Sequence, residues 1–477
     1  MVQIGISRMS LVLQVNAFVL LFLGFFMGVV GLVFPGSRDS FAASALLTLT
    51  LGAMLAIVSM GPIRTVSVRQ TFLMTTTAWL TAAIAGSLPL LFWGMTLTDA
   101  FFESMSGITT TGSTVLAGLD TTDHGILIWR AILHWLGGVG IVVTGIAILP
   151  FLKIGGMQLF RSESSDRSEN DLGGAARFAG ATIWVYAMLT ALCFFVYLGA
   201  SMTGFDAAAH SMATLSTGGF STHDASMGFF GPAIQWWATL FMLAGSIPFA
   251  WYIRAFRTRR LYSEQLRAYL PGLATITIVL TLFRVMSSET TPFEALRHSA
   301  FNVVSVVTTT GFATTDYTLW GSFVVVVFFI LTSVGGCTGS TSGGIKIMRW
   351  VVSGKYVIAS VRSIIYPHSV SALRYEGRAI DRPVVDAVAA FIGIFATTTA
   401  ALAICLGFVG LDLQTALSGA LTAVANVGPG IGLTIGPAGN FSTLPDSAKW
   451  LLSAGMLLGR LEIMTAAVLL LPSFWRW

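Results

Sequence analysis

Four times along the chain, a short apolar run ends in a loop of small residues closed by a glycine. The loops are Thr109-Thr110-Thr111-Gly112, Ser216-Thr217-Gly218-Gly219, Thr308-Thr309-Thr310-Gly311 and Ala425-Asn426-Val427-Gly428. Six residues before each glycine stands Ser106, Ala213, Ser305 or Thr422, small every time. The preceding runs are shorter than the about 20 residues a spanning helix needs, and the following runs are long enough. Non-helical backbone survives at membrane depth only where protein covers it or where it lines a water-filled path. A single Thr-Thr-Thr-Gly reads as a β-prone turn. Four copies in register read as an ion filter. Its carbonyls would face a dehydrated cation, the half-helix C-terminal ends would add partial negative charge, and glycine would turn the backbone through positive φ.

Composition supports the membrane setting. Of 477 residues, 55% are hydrophobic and 10% charged, against about 25% charged in soluble domains. Two apolar runs, 11–33 and 41–60, open the chain. A signal peptide is the competing reading of the first, but no convincing small-residue cleavage site follows Val33, so it is expected as a mature helix. A unit of span, half-span, loop and span then repeats: 72–93, 99–108, 109–113 and 126–152; 178–203, 206–215, 216–220 and 232–253; 270–286, 293–307, 308–312 and 319–348; 383–411, 412–424, 425–430 and 448–471. Internal repeats of this kind signal a pseudo-symmetric fold. The expectation is an all-α integral membrane protein with ten transmembrane helices and four helix–pore loop–helix repeats around a central pore, like a K+ channel. Its divisions are 1–68 (two extra helices), 69–160, 161–265, 266–378 and 379–477.

With an even number of spans, both termini share one side. That side takes all 26 Lys and Arg except Arg38, Arg130, Arg284, Arg297 and Lys449 opposite and Arg460 within a span. The positive-inside rule makes it cytoplasmic, so the loops enter from outside. The basic segments 254–267 and 346–382 fit anionic lipid headgroups or a docked regulatory partner. The net charge of +5, so distributed, calls for no nucleic acid. Cys193, Cys337 and Cys405 read as buried small hydrophobes, and the six histidines show no metal-ligand spacing.

The stretch Gly335-Gly336-Cys337-Thr338-Gly339-Ser340-Thr341-Ser342-Gly343-Gly344 interrupts a span. Each mid-helix glycine costs roughly 0.5–1 kcal/mol relative to alanine, so a broken helix is expected. It would serve either as a mobile loop across the pore or as a site of close packing. Gly344-Ile345-Lys346-Ile347 misplaces the lysine and hydroxyl of a phosphate loop. Arg460, charged at membrane depth, is a functional candidate, with backbone capping as the structural alternative. Glu103, His210 and Asn302 stand nine residues before three of the glycines, either drawing cations to the mouth or anchoring their half-helices. No Ser/His, paired-Asp or His-Glu-x-x-His arrangement suggests an enzyme.

The four loops and Gly335–Lys346 resemble the Trk/Ktr/HKT cation transporter superfamily. Leu458-Gly459-Arg460-Leu461-Glu462, Pro472-Ser473-Phe474-Trp475-Arg476 and the two extra helices are similar to its bacterial TrkH/TrkG potassium-uptake branch. The resemblance covers essentially the whole chain. It implies potassium-coordinating carbonyls from Thr110, Thr111, Thr217, Gly218, Thr309, Thr310, Asn426 and Val427, with Gly112, Gly219, Gly311 and Gly428 as filter glycines favouring potassium over sodium. Loop four departs from the Thr-rich type and carries Pro429 behind its glycine. Gly335, Gly336, Gly339, Gly343 and Gly344 would belong to an intramembrane gate, with Arg460 facing the cavity beneath the filter. The resemblance further implies a homodimer in the bacterial inner membrane, each protomer with its own pore. No cofactor is implied in this chain beyond the transported K+. A cytoplasmic TrkA-type ring binding ATP/ADP or NAD would control opening. A sodium-selective member, or one coupled to sodium or protons as a symporter, is the alternative.

Overall fold

The computed structural model describes residues 2–61, 67–147, 172–259, 261–287, 290–368 and 372–475. Helices α1 (Val2–Val33) and α2 (Arg38–Val58) form a hairpin across Pro35–Ser37. Lipid tails are as apolar as leucine, so helices associate in a bilayer through close packing, not hydrophobic exclusion. Small residues accordingly line this seam: a Cβ at Gly24 would meet Leu49, and one at Gly52 would meet Leu20 and Leu21. The chain continues through α3 (Val68–Trp93), α4 (Leu97–Ile108), α5 (His124–Ala147), α6 (Leu172–Gly199), α7 (Gly204–Leu215), α8 (Pro232–Ser246) and α9 (Phe249–Thr258). Then come α10 (Glu264–Ser287), α11 (Pro292–Val307), α12 (Ser322–Leu331), α13 (Ile347–Ile365), α14 (Arg382–Phe408), α15 (Leu413–Ala425), α16 (Asp446–Arg460) and α17 (Met464–Ala467). A two-stranded hairpin, β1 (Arg374–Tyr375) and β2 (Arg378–Ala379), interrupts the otherwise helical order.

Among the described residues, α1, α2, α3, α6, α10 and α14 are each long and apolar enough to cross a membrane. Two bent pairs bring the number to at most eight. The runs 232–253 and 448–471, expected as single spans, are both bent. The first turns by 87° between α8 and α9, where Ile247 is extended before Pro248, because a residue ahead of proline is driven from the helical region. The second turns by 104° after α16, where Glu462 and Ile463 take φ of 60° and 39°. Arg460 is therefore the last residue of a helix at a bend, not the middle of a span. The run 319–348 is broken as the glycines require, leaving 332–346 irregular between α12 and α13. The end of the expected span 126–152, the boundary at 160/161 and the basic residues Arg64, Lys153, Arg161, Arg167, Arg260 and Arg476 lie outside the described residues. Cys193 and Cys337 are buried, but Cys405 is exposed on α14.

At the centre sit α4, α7, α11 and α15, of 12, 12, 16 and 13 residues. Each starts with the same device. Thr96, Thr203, Thr291 and Asp412 are N-caps whose side chains accept from the backbone N–H of Asp99, Asp206, Glu294 and Thr415. This satisfies an otherwise orphaned donor, and the acids in the first turn of α4, α7 and α11 suit the helix dipole. Toward their C-terminal ends the four helices are wholly buried, as in Phe102–Ile108 and His298–Val307.

Candidate functional site

All four central helices end alike. The N–H of Thr111, Gly218, Thr310 and Val427 donates to the carbonyl of Ser106, Ala213, Ser305 and Thr422. The N–H of the preceding residue donates to Gly107, Thr214, Val306 or Ala423. This pair of bonds is the Schellman cap, whose turning residue is usually glycine in the left-handed region. Here the turning residues are Thr110, Thr217, Thr309 and Asn426, with φ of 53°, 52°, 59° and 55°. A β-branched residue in that region is a backbone outlier, and such strain of about 1–3 kcal/mol persists only where the surroundings over-determine it. Three threonines strained in the same way mark one built geometry, repeated.

Two residues further on, Gly112, Gly219, Gly311 and Gly428 have φ of 85°, 84°, 82° and 109°. A Cβ on Gly112 would overlap the carbonyl oxygen of Gly218, one on Gly219 that of Thr310, one on Gly311 that of Val427, and one on Gly428 that of Thr111. Each loop thus presses its carbonyl on the glycine of the loop before it, and the fourth closes on the first. The contacts form a ring. All four glycines line one cavity, with His223 and Asp224 at its rim. Cross-loop hydrogen bonds seal the junction of the first and fourth loops: Ser113 Oγ donates to the Gly428 carbonyl at 2.8 Å, and Asn426 Nδ2 donates to Thr111 Oγ1 at 3.0 Å.

Behind each glycine, a side chain of the half-helix holds the departing strand. Glu103 accepts from Thr114 Oγ1 and Val115 N; His210 Nε2 bonds Ser221 Oγ; Asn302 bonds both Oγ1 and N of Thr314. The three residues are anchors, as one of the two sequence readings held. In the fourth loop the duty passes to Ser418, which bonds Ile431. Arg130, assigned by sequence to the outer charges, is buried and donates to Glu103 at 2.7 Å and to the Ser221 carbonyl at 3.0 Å. Its spacing from Glu103 carries no motif, so sequence reasoning missed it.

On the side where the half-helices end, the segment 332–346 lies against the loops. Gly335, Gly339 and Gly344 adopt φ of 79°, 83° and 72°. Gly336 and Gly343 instead permit close approach, the former to Ser342 and the latter to the Ala425 carbonyl. Thr341 Oγ1 reaches the carbonyls of Leu215 and Gly245 and the hydroxyl of Thr217. Gly343 N donates to Thr309 Oγ1 at 2.7 Å, and Gly344 N to the Ala425 carbonyl at 2.9 Å. Arg460 donates to the Thr341 carbonyl at 3.0 Å and to the Gly137 carbonyl at 3.3 Å, so its carbonyl capping ties this segment to α5. Just beyond, Glu462 faces Lys346 at 3.2 Å and Arg349, all buried. Lys346 and Arg349, counted by sequence among cytoplasmic charges, are thus interior partners of a carboxylate over a hundred residues away. No local spacing announces that.

Helices apolar enough to cross a bilayer, with four half-helices closing a ring of backbone carbonyls, define a membrane transport protein organised around a central four-loop site. The TrkH family model, described as a cation transport protein, matches residues 37–476. Trk system potassium uptake protein TrkI of Halomonas elongata is 49% identical over 85% of this chain and 84% of its own length. TrkH of Escherichia coli K12 is 34% identical over 94% and 95%. The crystal structure of the potassium transporter TrkH from Vibrio parahaemolyticus superposes with a TM-score of 0.90 at 34% identity, covering 98% of this chain and 99% of that one. The chain belongs to the TrkH family, whose members are transporters and not enzymes.

Proposed function

We propose that this chain takes up potassium through its carbonyl ring. The observation that carries the reading is the closure of four loops, each glycine packed on the next loop's carbonyl. Carbonyls of Thr110, Thr111, Thr217, Gly218, Thr309, Thr310, Asn426 and Val427 would replace the hydration shell of the ion. The names of the relatives supply the ion: they are potassium uptake proteins. In this reading the chain has ten spans, α5 and the broken α12–α13 run joining the eight above, and four pore repeats at the divisions given from sequence. Both termini face the cytoplasm of a bacterial inner membrane. The segment 335–344 with Arg460 is the gate, crossing beneath the ring. A second copy and a cytoplasmic nucleotide-binding ring of the TrkA type complete the assembly. Transport down the membrane potential gains about 2.3 kcal/mol per charge per 100 mV.

The test is ion flux into liposomes holding the purified protein, with potassium or sodium as the only driven cation. Potassium flux should dominate, and Gly311→Ser should weaken that dominance. Equal flux with both ions in the wild type would overturn the potassium assignment in favour of a sodium-permeable member. Flux that needs external sodium or a proton gradient would assign it to a coupled transporter. Should a closed gate silence both ions, deleting 335–344 should restore flux, and continued silence would overturn the reading.

A further inference from the structure

The ring is not fourfold in its side chains. The residue whose carbonyl meets the neighbouring glycine is Thr111, Thr310 or Val427 in three loops and Gly218 in the second. The three larger residues are wedged behind the ring. Thr111 Oγ1 bonds Thr109 and Asn426, Thr310 Oγ1 bonds Thr308 at 2.7 Å, and Val427 is fully buried. Gly218 has no such wedge, and its φ lies outside the left-handed region, so its backbone does not demand glycine. What demands it is His134. A Cβ at residue 218 would fall on the imidazole, no more than 2.8 Å from Nδ1, Cγ and Cε1.

His134 comes from α5, the helix after the first loop, and is fully buried. Its ring stacks on Phe220 at 4.0 Å and 15°, and Nδ1 accepts the N–H of Phe220 at 3.4 Å. Phe220 directly follows the filter glycine Gly219. The guanidinium of Arg130, one turn before His134 on α5, lies over the same Phe220 ring at 4.1 Å. Arg130 in turn holds Glu103, the anchor of the first loop, and the carbonyl of Ser221 in the second. One face of α5 therefore grips two adjacent loops.

We propose that His134 is a positioning residue for the second loop. It supplies from α5 the wedge that Thr111, Thr310 and Val427 supply from within their own loops, and so sets the Gly218 carbonyl and with it the ion preference of the ring. Without it, Gly218, free of any side chain, would be the least restrained corner of the ring. The inference rests on the carbonyl ring being the ion site.

The test is cation-dependent thermal stabilisation of the full-length protein in detergent, which needs no open gate. Midpoints are followed against potassium and against sodium, giving an apparent affinity ratio. His134→Ala should lower the potassium-to-sodium ratio roughly tenfold, a difference of about 1.4 kcal/mol between the two ions. Gly218→Thr alone should lower it as much or more, because the new side chain meets the imidazole. The double variant His134→Ala with Gly218→Thr should recover most of the ratio, since the loop then carries its own wedge. An unchanged ratio in His134→Ala, or losses that merely add in the double variant, would overturn the proposal. Gly311→Ser separates the two claims. If it lowers the ratio while His134→Ala does not, the ring stands and His134 has no part in it. If no variant moves the ratio, the ring itself is not the ion site, and this proposal falls with it.

Discussion

The four central loops and the segment 332–346 touch one another and are held by different means. Each loop is fixed by its own half-helix, through the Schellman pair, the strained turning residue and the anchor behind the glycine. Ring closure then leaves no room for a Cβ. The segment beneath closes on itself at its two ends, where the N–H groups of Ile345, Lys346 and Ile347 donate to the carbonyls of Ser333, Val334 and Gly336. It is tied to its surroundings by hydrogen bonds to the carbonyls of Leu215, Gly245 and Ala425, the hydroxyl of Thr309 and the guanidinium of Arg460. A structure that must keep one geometry is specified locally and sterically. The segment is joined to the loops by long-range hydrogen bonds, and in the gate proposed above these are the bonds that separate when it opens.

The largest effect should come from the buried charge cluster at the segment's exit. Glu462→Gln removes the carboxylate facing Lys346 and Arg349 in a buried site. Breaking a buried ion pair on one side costs about 3–5 kcal/mol. The melting temperature of the purified protein should fall sharply, and an unchanged value would mean that the bend after α16 is held by packing alone. Next comes the ring. Gly219→Ala puts a methyl group on the Thr310 carbonyl at φ of 84°, adding roughly 1–2 kcal/mol of backbone strain to the overlap. Potassium flux should drop about tenfold or more while potassium-to-sodium selectivity declines. Selectivity kept at full value would show that the steric closure of the ring does not set ion preference.

Smaller again is Thr341→Val, nearly isosteric, which leaves the carbonyls of Leu215 and Gly245 without this donor at a cost of about 1–3 kcal/mol. Potassium leak through liposomes lacking any cytoplasmic partner should rise with selectivity unaltered. A selectivity change would show that filter and segment are one unit. The smallest effect lies at the outer rim, where the hydrogen bond from His223 holds the Asp120 carboxyl below its usual value of 3.8. The folded-state value is depressed, so this contribution is present above about pH 4 and is lost as pH falls through the lowered value. Asp120 is exposed, and the effect is small. Between pH 5 and 3, Asp120→Asn should flatten part of the fall in melting temperature without touching selectivity.

The sequence makes the loops legible because their determinants are local and recur. The glycines, the small residue six positions earlier and the half-span lengths are all periodic signals. The N-caps Thr96, Thr203, Thr291 and Asp412 recur in the same way and were available to the same reasoning. The break at 335–344 is legible from its glycines. What does not recur is not legible. Glu462 meets Lys346, Arg130 meets Ser221 and His134 fills the place of a side chain at 218 only because the ring closes, and no spacing along the chain encodes ring closure. The bends at Ile247 and Glu462 hide inside apolar runs of spanning length, where hydropathy cannot distinguish a straight helix from a folded one. Cys405 shows the same blindness: apolar surroundings in sequence become an exposed face of α14 in the fold.

The proposal that the carbonyl ring is the ion site is checked by locating the ion itself. A structure determined from crystals grown in thallium, a potassium mimic with strong anomalous scattering, should show a peak on the axis of the ring. It should lie equidistant from the carbonyls of Thr111, Gly218, Thr310 and Val427, and sodium should fail to displace it. An empty axis, with anomalous density elsewhere in the protein, would show that the ion binds away from the ring.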